Sequence, residues 1–91
     1  MNSAIFTEIK VTENSPLAFE TVGDIEKKFG VKVVSVSNRF PSETEQKEPA
    51  KNFKLYPCLS VEFKGSYNKI RDLRLHAVDY SKRRCDGLHN R

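Results

Sequence analysis

Ser37, Asn38 and Arg39 stand together at the end of the most valine-rich stretch of the chain. An arginine guanidinium grips a phosphate or carboxylate with two parallel hydrogen bonds, and an asparagine amide both donates and accepts. At the end of a buried strand such a trio is held rigidly at the mouth of a sheet. In a two-fold dimer, two copies could flank one symmetric ligand. An ordinary surface turn is the plainer alternative and stays open. These three residues are the candidate ligand-binding site.

Other reactive side chains do not assemble into a recognisable pattern. Glu43, Glu45 and Glu48 cluster in a polar stretch. A hard cation such as Ca²⁺ needs about six or more oxygens in a shaped loop, and the stretch has neither a glycine turn nor regular acidic spacing. A solvated charge cluster is the favoured reading. His76 and His89 lack the Cys or carboxylate spacing of a zinc site, and His76 suits the end of a helix. Cys58 reads as a small hydrophobe at the head of a strand. Cys85 lies beside Arg83 and Arg84 in a basic tail, where the neighbouring charges would favour the thiolate. An incidental exposed thiol is the plainer reading, and two cysteines do not make a disulfide framework. Nothing places a cysteine and a histidine together as nucleophile and base, and no phosphate-cradling glycine motif is present. The residues therefore call for no catalytic role, cofactor or metal.

The 91 residues are enough for one domain with a modest core. The net charge of +4 is unevenly spread: residues 1–63 carry eight Lys/Arg against nine Asp/Glu, and residues 64–91 eight against three. Lys82, Arg83, Arg84 and Arg91 could contact phosphates, but only Tyr80 accompanies them as a stacking aromatic. No apolar run approaches the roughly 20 residues of a membrane span, and the opening residues lack a signal-peptide pattern. A cytoplasmic location is expected.

The elements that would position these residues are legible from spacing. Ile5, Thr7, Ile9 and Val11 alternate with polar or outward positions as a first strand. Thr21 followed by Asp24 resembles a capping box for a helix from Val22, with Val22, Ile25 and Phe29 on one face. Lys27 and Lys28 suit its C-terminal end, and Gly30 is a ready stop. Val31 to Ser37 is the second strand. Asn38 to Lys54 is polar, with a short strand expected near Gln46–Glu48 or Asn52–Leu55. Leu59, Val61 and Phe63 alternate as a further strand. Gly65 allows a turn, Ser66 caps a helix from Tyr67 to about Ala77, and Tyr67, Ile70, Leu73 and Ala77 form its predicted apolar face.

Glu8-Ile-Lys-Val11, Ser15-Pro-Leu17, Thr21-Val-Gly-Asp-Ile25 and Val33-Val-Ser-Val36, taken in order, resemble the opening of the RCK C-terminal (TrkA-C) domain family. Gly65, Ile70 and Leu73 are similar to the family's closing strand, glycine and helix. Where the family has Gly-Asp before the last strand, this chain has Tyr56-Pro57-Cys58. The resemblance spans about residues 5–78. It implies a dimeric regulatory domain of potassium and other transport systems, some of whose members bind a cyclic dinucleotide or a cation between subunits.

The expected fold is α+β: a small mixed sheet of four or five strands, two helices on one face, a βαβ-type start and a strand–turn–helix end. Residues 1–78 form the domain and 79–91 a basic tail. The expected function is non-catalytic regulation or ligand sensing by a homodimer, in the cytoplasm and associated with a membrane transporter. Two alternatives are a small basic nucleic-acid-binding module acting through residues 64–91, which is disfavoured, and a scaffold or dimerisation domain without a ligand.

Overall fold

The structure, a computed structural model, describes residues 3–38 and 44–77. In chain order the elements are β1 (Ile5–Lys10), α1 (Val22–Phe29), β2 (Lys32–Asn38), β3 (Thr44–Lys47), β4 (Leu59–Gly65) and α2 (Tyr67–His76). The domain is α+β, with four strands among the described residues in the order β1-β4-β2-β3. Of the two places where a short strand is expected, the first forms β3. The second supplies only an isolated bridge, Thr21 to Lys54.

The βαβ start takes a split form. Because β4 pairs antiparallel with both β1 and β2, those two strands run parallel with β4 inserted between them. The expected mixed sheet is corrected in this respect: every neighbouring pair is antiparallel. A β-bulge between Val33 and Ser35 adds one residue to β2. It leaves both Val33 and Val36 on the face of Phe63 and Val61, where they are buried.

Both helices cover that face. Helix α1 packs on β2, α2 packs on β1 and β4, and the helices touch each other. Phe63, Val61, Leu59, Val33 and Val36 meet Val22 and Ile25 from α1 and Ile70, Leu73 and Ala77 from α2 in one core. The N-cap of α1 forms as expected, with Thr21 Oγ1 accepting from the Asp24 N–H at 3.2 Å. Gly30 ends the helix at φ 69°, a left-handed conformation that costs glycine nothing. The predicted apolar face of α2 needs one correction, because Tyr67 is 64% exposed. At about 100° per residue, Ile70, Leu73 and Ala77 fall within about 60° of one another, and Tyr67 lies well off their centre.

The end of the stretch that reads as a polar connection, Asn38 to Lys54, continues through residues 55–58 as a strap, residues 49–58, over the start of α1. The carbonyls of Phe53 and Lys51 accept from the Val22 and Gly23 N–H groups, at 2.9 and 2.8 Å. Leu55 and Glu20 bond through their backbones, and the Leu55 side chain is fully buried. The strap approaches Gly23 closely: a Cβ there would stand 3.2 Å from the Lys51 carbonyl oxygen, a tight contact that glycine avoids. One carboxylate ties the strap to the sheet. Glu26 on α1 pairs with Lys51 of the strap, and its Oε2 accepts from the Val33 N–H of β2 at 2.8 Å. Burial pushes the Glu26 carboxyl up, but hydrogen bonds from Lys51 and Val33 and the charges of Lys51 and Lys32 outweigh it, so the net direction is below its ordinary value of 4.5.

Two outcomes are expected. The Glu26 carboxylate is held below its unfolded value, so its contribution is fully present above pH 4.5 and is lost as pH falls through the lower folded value. Glu26→Ala removes its hydrogen bonds to Val33 and Lys51 and should cost on the order of 1.5–3 kcal/mol at neutral pH. It should also flatten the acid limb of stability, as followed by denaturant unfolding across pH. Leu55→Ala removes a fully buried side chain of the strap and should cost about 2–5 kcal/mol. An exposed loop residue would change stability by only about 0.5 kcal/mol.

Candidate functional site

The three residues singled out in the sequence fall at the C-terminal end of β2. That strand is the last but one of the sheet, between β4 and β3. Ser37 lies opposite Ser60 of β4 and Glu45 of β3, and Asn38 lies opposite Leu59 and Thr44. Successive strand residues point to opposite faces. Asn38 therefore shares the helix-covered face with Leu59, and Ser37 shares the uncovered face with Ser60. Both are half-buried. Arg39 lies outside the described residues. A ligand reaching both Ser37 and Asn38 must meet the strand end-on.

The strap contributes a residue that spacing alone did not bring forward. The Asn38 amide donates to the Tyr56 hydroxyl at 3.5 Å, and the Tyr56 ring stands 6.2 Å from that of Phe53. Tyr56 keeps 40% of its surface exposed. The end of β2 thus carries an amide beside an exposed phenol, a combination that suits a planar polar ligand. The only sequence signal was the Tyr56-Pro57-Cys58 turn itself. Cys58 follows in a left-handed conformation, φ 81°, and its N–H bonds the Val11 carbonyl at 2.7 Å. The expectation that the cysteines make no disulfide framework, with Cys58 packing simply as a small hydrophobe, is corrected, because Cys58 is disulfide-bonded. The chain's other cysteine, Cys85, lies outside the described residues, as do the basic tail 79–91 and His89.

The remaining candidates disperse. Glu45 is on β3 and Glu48 follows that strand at φ 49°, while Glu43 lies outside the described residues. Among the described residues no three His, Cys, Asp or Glu side chains could hold a metal together. His76 closes α2 with its ring 4.9 Å from that of Phe29. Among the described residues no helix is long and apolar enough to cross a membrane. A recess of about 390 Å³ lined by Ser3, Val31, Lys32, Lys64 and Ser66 lies at the other end of β2 from Asn38.

No family profile and no curated protein matches the sequence. Solved structures do match the fold. The GsuK RCK domain superposes with a TM-score of 0.65 at 9% identity, over 80% of this chain and 16% of that one. The present chain thus spans about a sixth of that protein's length. The RCK_C domain dimer of S. agalactiae BusR, in complex with c-di-AMP, also superposes with a TM-score of 0.65, at 15% identity, over 78% of this chain and 92% of that one. The four-stranded split sheet with two helices on one face is an RCK C-terminal-like fold.

Proposed function

We propose that this chain is a non-catalytic regulatory domain that dimerises and senses a small ligand, with cyclic dinucleotides as the leading class. The observation that carries this reading is the match over nearly the whole length of the BusR RCK_C domain, a dimer solved with c-di-AMP. The end of β2 supports it, where the half-buried Asn38 and the exposed Tyr56 offer hydrogen-bonding groups beside an aromatic ring. Ser37, Asn38 and Arg39 are the proposed ligand contacts, with Arg39 gripping phosphate. A cation bound between subunits is the other ligand class.

The output is control of a transporter for a cation or another solute, with the domain on the cytoplasmic side of the membrane. In a reducing cytosol the Cys58 disulfide would open and leave a half-buried thiol at the head of β4. Residues 1–78 are the sensing module and 79–91 its basic extension. A scaffold that dimerises without a ligand is the second reading. It is favoured by Tyr56-Pro57-Cys58 standing where the family has Gly-Asp.

A thermal-shift series with c-di-AMP, other nucleotides and divalent cations tests the proposal. A ligand that binds only the folded state at about 100 times its Kd adds about 2.7 kcal/mol. For a chain of this size that is a rise of roughly 10 °C or more in Tm. Asn38→Ala and Arg39→Ala should each abolish most of the rise while leaving the ligand-free Tm within a few degrees. A dimer that responds to no ligand would replace sensing with the scaffold reading.

A further inference from the structure

The face of the sheet that the helices leave uncovered has an ordered charge pattern. Register places Phe6, Lys64 and Lys32 side by side in one row across β1, β4 and β2. Two residues along the strands, the next row is Glu8, Glu62 and Ser35, continued by Lys47 on β3. The third is Lys10, Ser60, Ser37 and Glu45.

Two like-charged pairs therefore face each other across strands: Glu8 beside Glu62, and Lys32 beside Lys64. Like charges directly opposite on neighbouring strands destabilise a sheet. Within the domain they are only partly relieved. The Ser35 hydroxyl reaches Glu62 at 3.5 Å, the Lys64 ammonium lies 5.8 Å from the centre of the Phe6 ring, and Lys32 is attracted to the Glu26 carboxylate. Between the charged side chains the surface is low, because Ser35 and Ser60 are short and buried beneath their neighbours.

We infer that this uncovered face binds a second copy of the same chain, with Lys64 of each copy set against Glu62 of the other. The pattern is complementary to itself. Glu62 and Lys64 are both on β4, two residues and about 7 Å apart. A two-fold axis lying between the faces and crossing β4 at Phe63 exchanges them, which is the requirement of an isologous contact. Lys64 of one copy then enters the Glu8–Glu62 row of the other. Glu62 meets the Lys32–Lys64 row in return. The low serine surface gives the long side chains room, and Phe6, 57% exposed, adds apolar area beside the charges. The inference rests on the dimeric reading above and assigns the face that would carry it.

Charge reversal and restoration on β4 provide the test, read by sedimentation equilibrium of the full chain with Tm recorded alongside. Glu62→Lys and Lys64→Glu each place like charges across the contact and should weaken the dimer by about tenfold or more. Each also turns a repulsive cross-strand pair within one copy into an attractive one, so neither should lower the Tm of the monomer. A misfolded variant would lower it. The double variant E62K/K64E restores opposite charges across the axis and should return the dimer to near its original strength. Added salt should weaken the original dimer and the double variant alike. A dimer that neither single reversal weakens would overturn the assigned face while leaving the regulatory reading standing. Weakening by both single variants without restoration in the double, or an original chain that stays monomeric, would also overturn it. Ligand response in the thermal-shift series decides the regulatory reading separately.

Discussion

Three segments meet at the Glu26 carboxylate: helix α1, the start of β2 at Val33 seven residues on, and the strap at Lys51, 25 residues away. This junction carries more than its own hydrogen bonds. The strap's carbonyls satisfy the first N–H groups of α1, which would otherwise have no partner within the helix. In holding the strap, Glu26 also holds Leu55 in the core and Tyr56 beside Asn38. The pairing stands mostly away from solvent on the Glu26 side, with 15% of that side chain exposed, while Lys51 stays largely in water. An arrangement with one desolvated and one wet partner gains from its hydrogen bonds without the full penalty of burying two charges.

The sheet divides the work of the molecule between its faces. The helix-covered face holds the apolar core, to which the interior strand β4 contributes the fully buried Phe63. The other face has no apolar continuity and is ordered by charge instead. Strand β4 contributes to both, since Val61 and Phe63 point inward while Glu62 and Lys64 point outward. A change of packing on one face therefore reaches the other through a single strand. Ser37 and Asn38 of the proposed ligand site also abut β4, through Ser60 and Leu59.

Much of this was legible from residues alone where the determining chemistry is local. Thr21 and Asp24 form the cap of α1, Gly30 its stop, and Ser66 the cap of α2, because each needs only neighbours within one turn. The alternation in β4 survives because one face is buried and a slip of one residue would turn Phe63 out. The strap was not legible. Its buried residues, Pro49 and Leu55, are too far apart to show a period, and its order comes from backbone bonds to Glu20, Val22 and Gly23, some 30 residues earlier in the chain. Insertion of β4 between β1 and β2 is likewise a long-range choice. Tyr67 was misread because it occupies the first helical position, where three residues of spacing put it beside the buried stripe and not within it. At the candidate site, strand position predicted where Ser37 and Asn38 lie. It could not supply Tyr56, which arrives from the strap.

Backbone strain falls around the same strap. Phe19 and Cys58 both hold positive φ, at 69° and 81°, conformations that cost residues other than glycine on the order of 1–3 kcal/mol. Phe19 sits where its N–H bonds the Leu55 carbonyl, and Cys58 where its N–H bonds Val11 beyond the end of β1. Each thus gains a backbone hydrogen bond that fixes one end of the segment carrying Tyr56. The conformational penalty is set against placement: between two strained anchors the chain has little freedom, and the Tyr56 ring is held against Phe53 and Asn38. A binding surface arranged before its ligand arrives loses less entropy when it binds. For the ligand site proposed at the end of β2, the strap would serve as a rim arranged in advance and not only as a connection between strands.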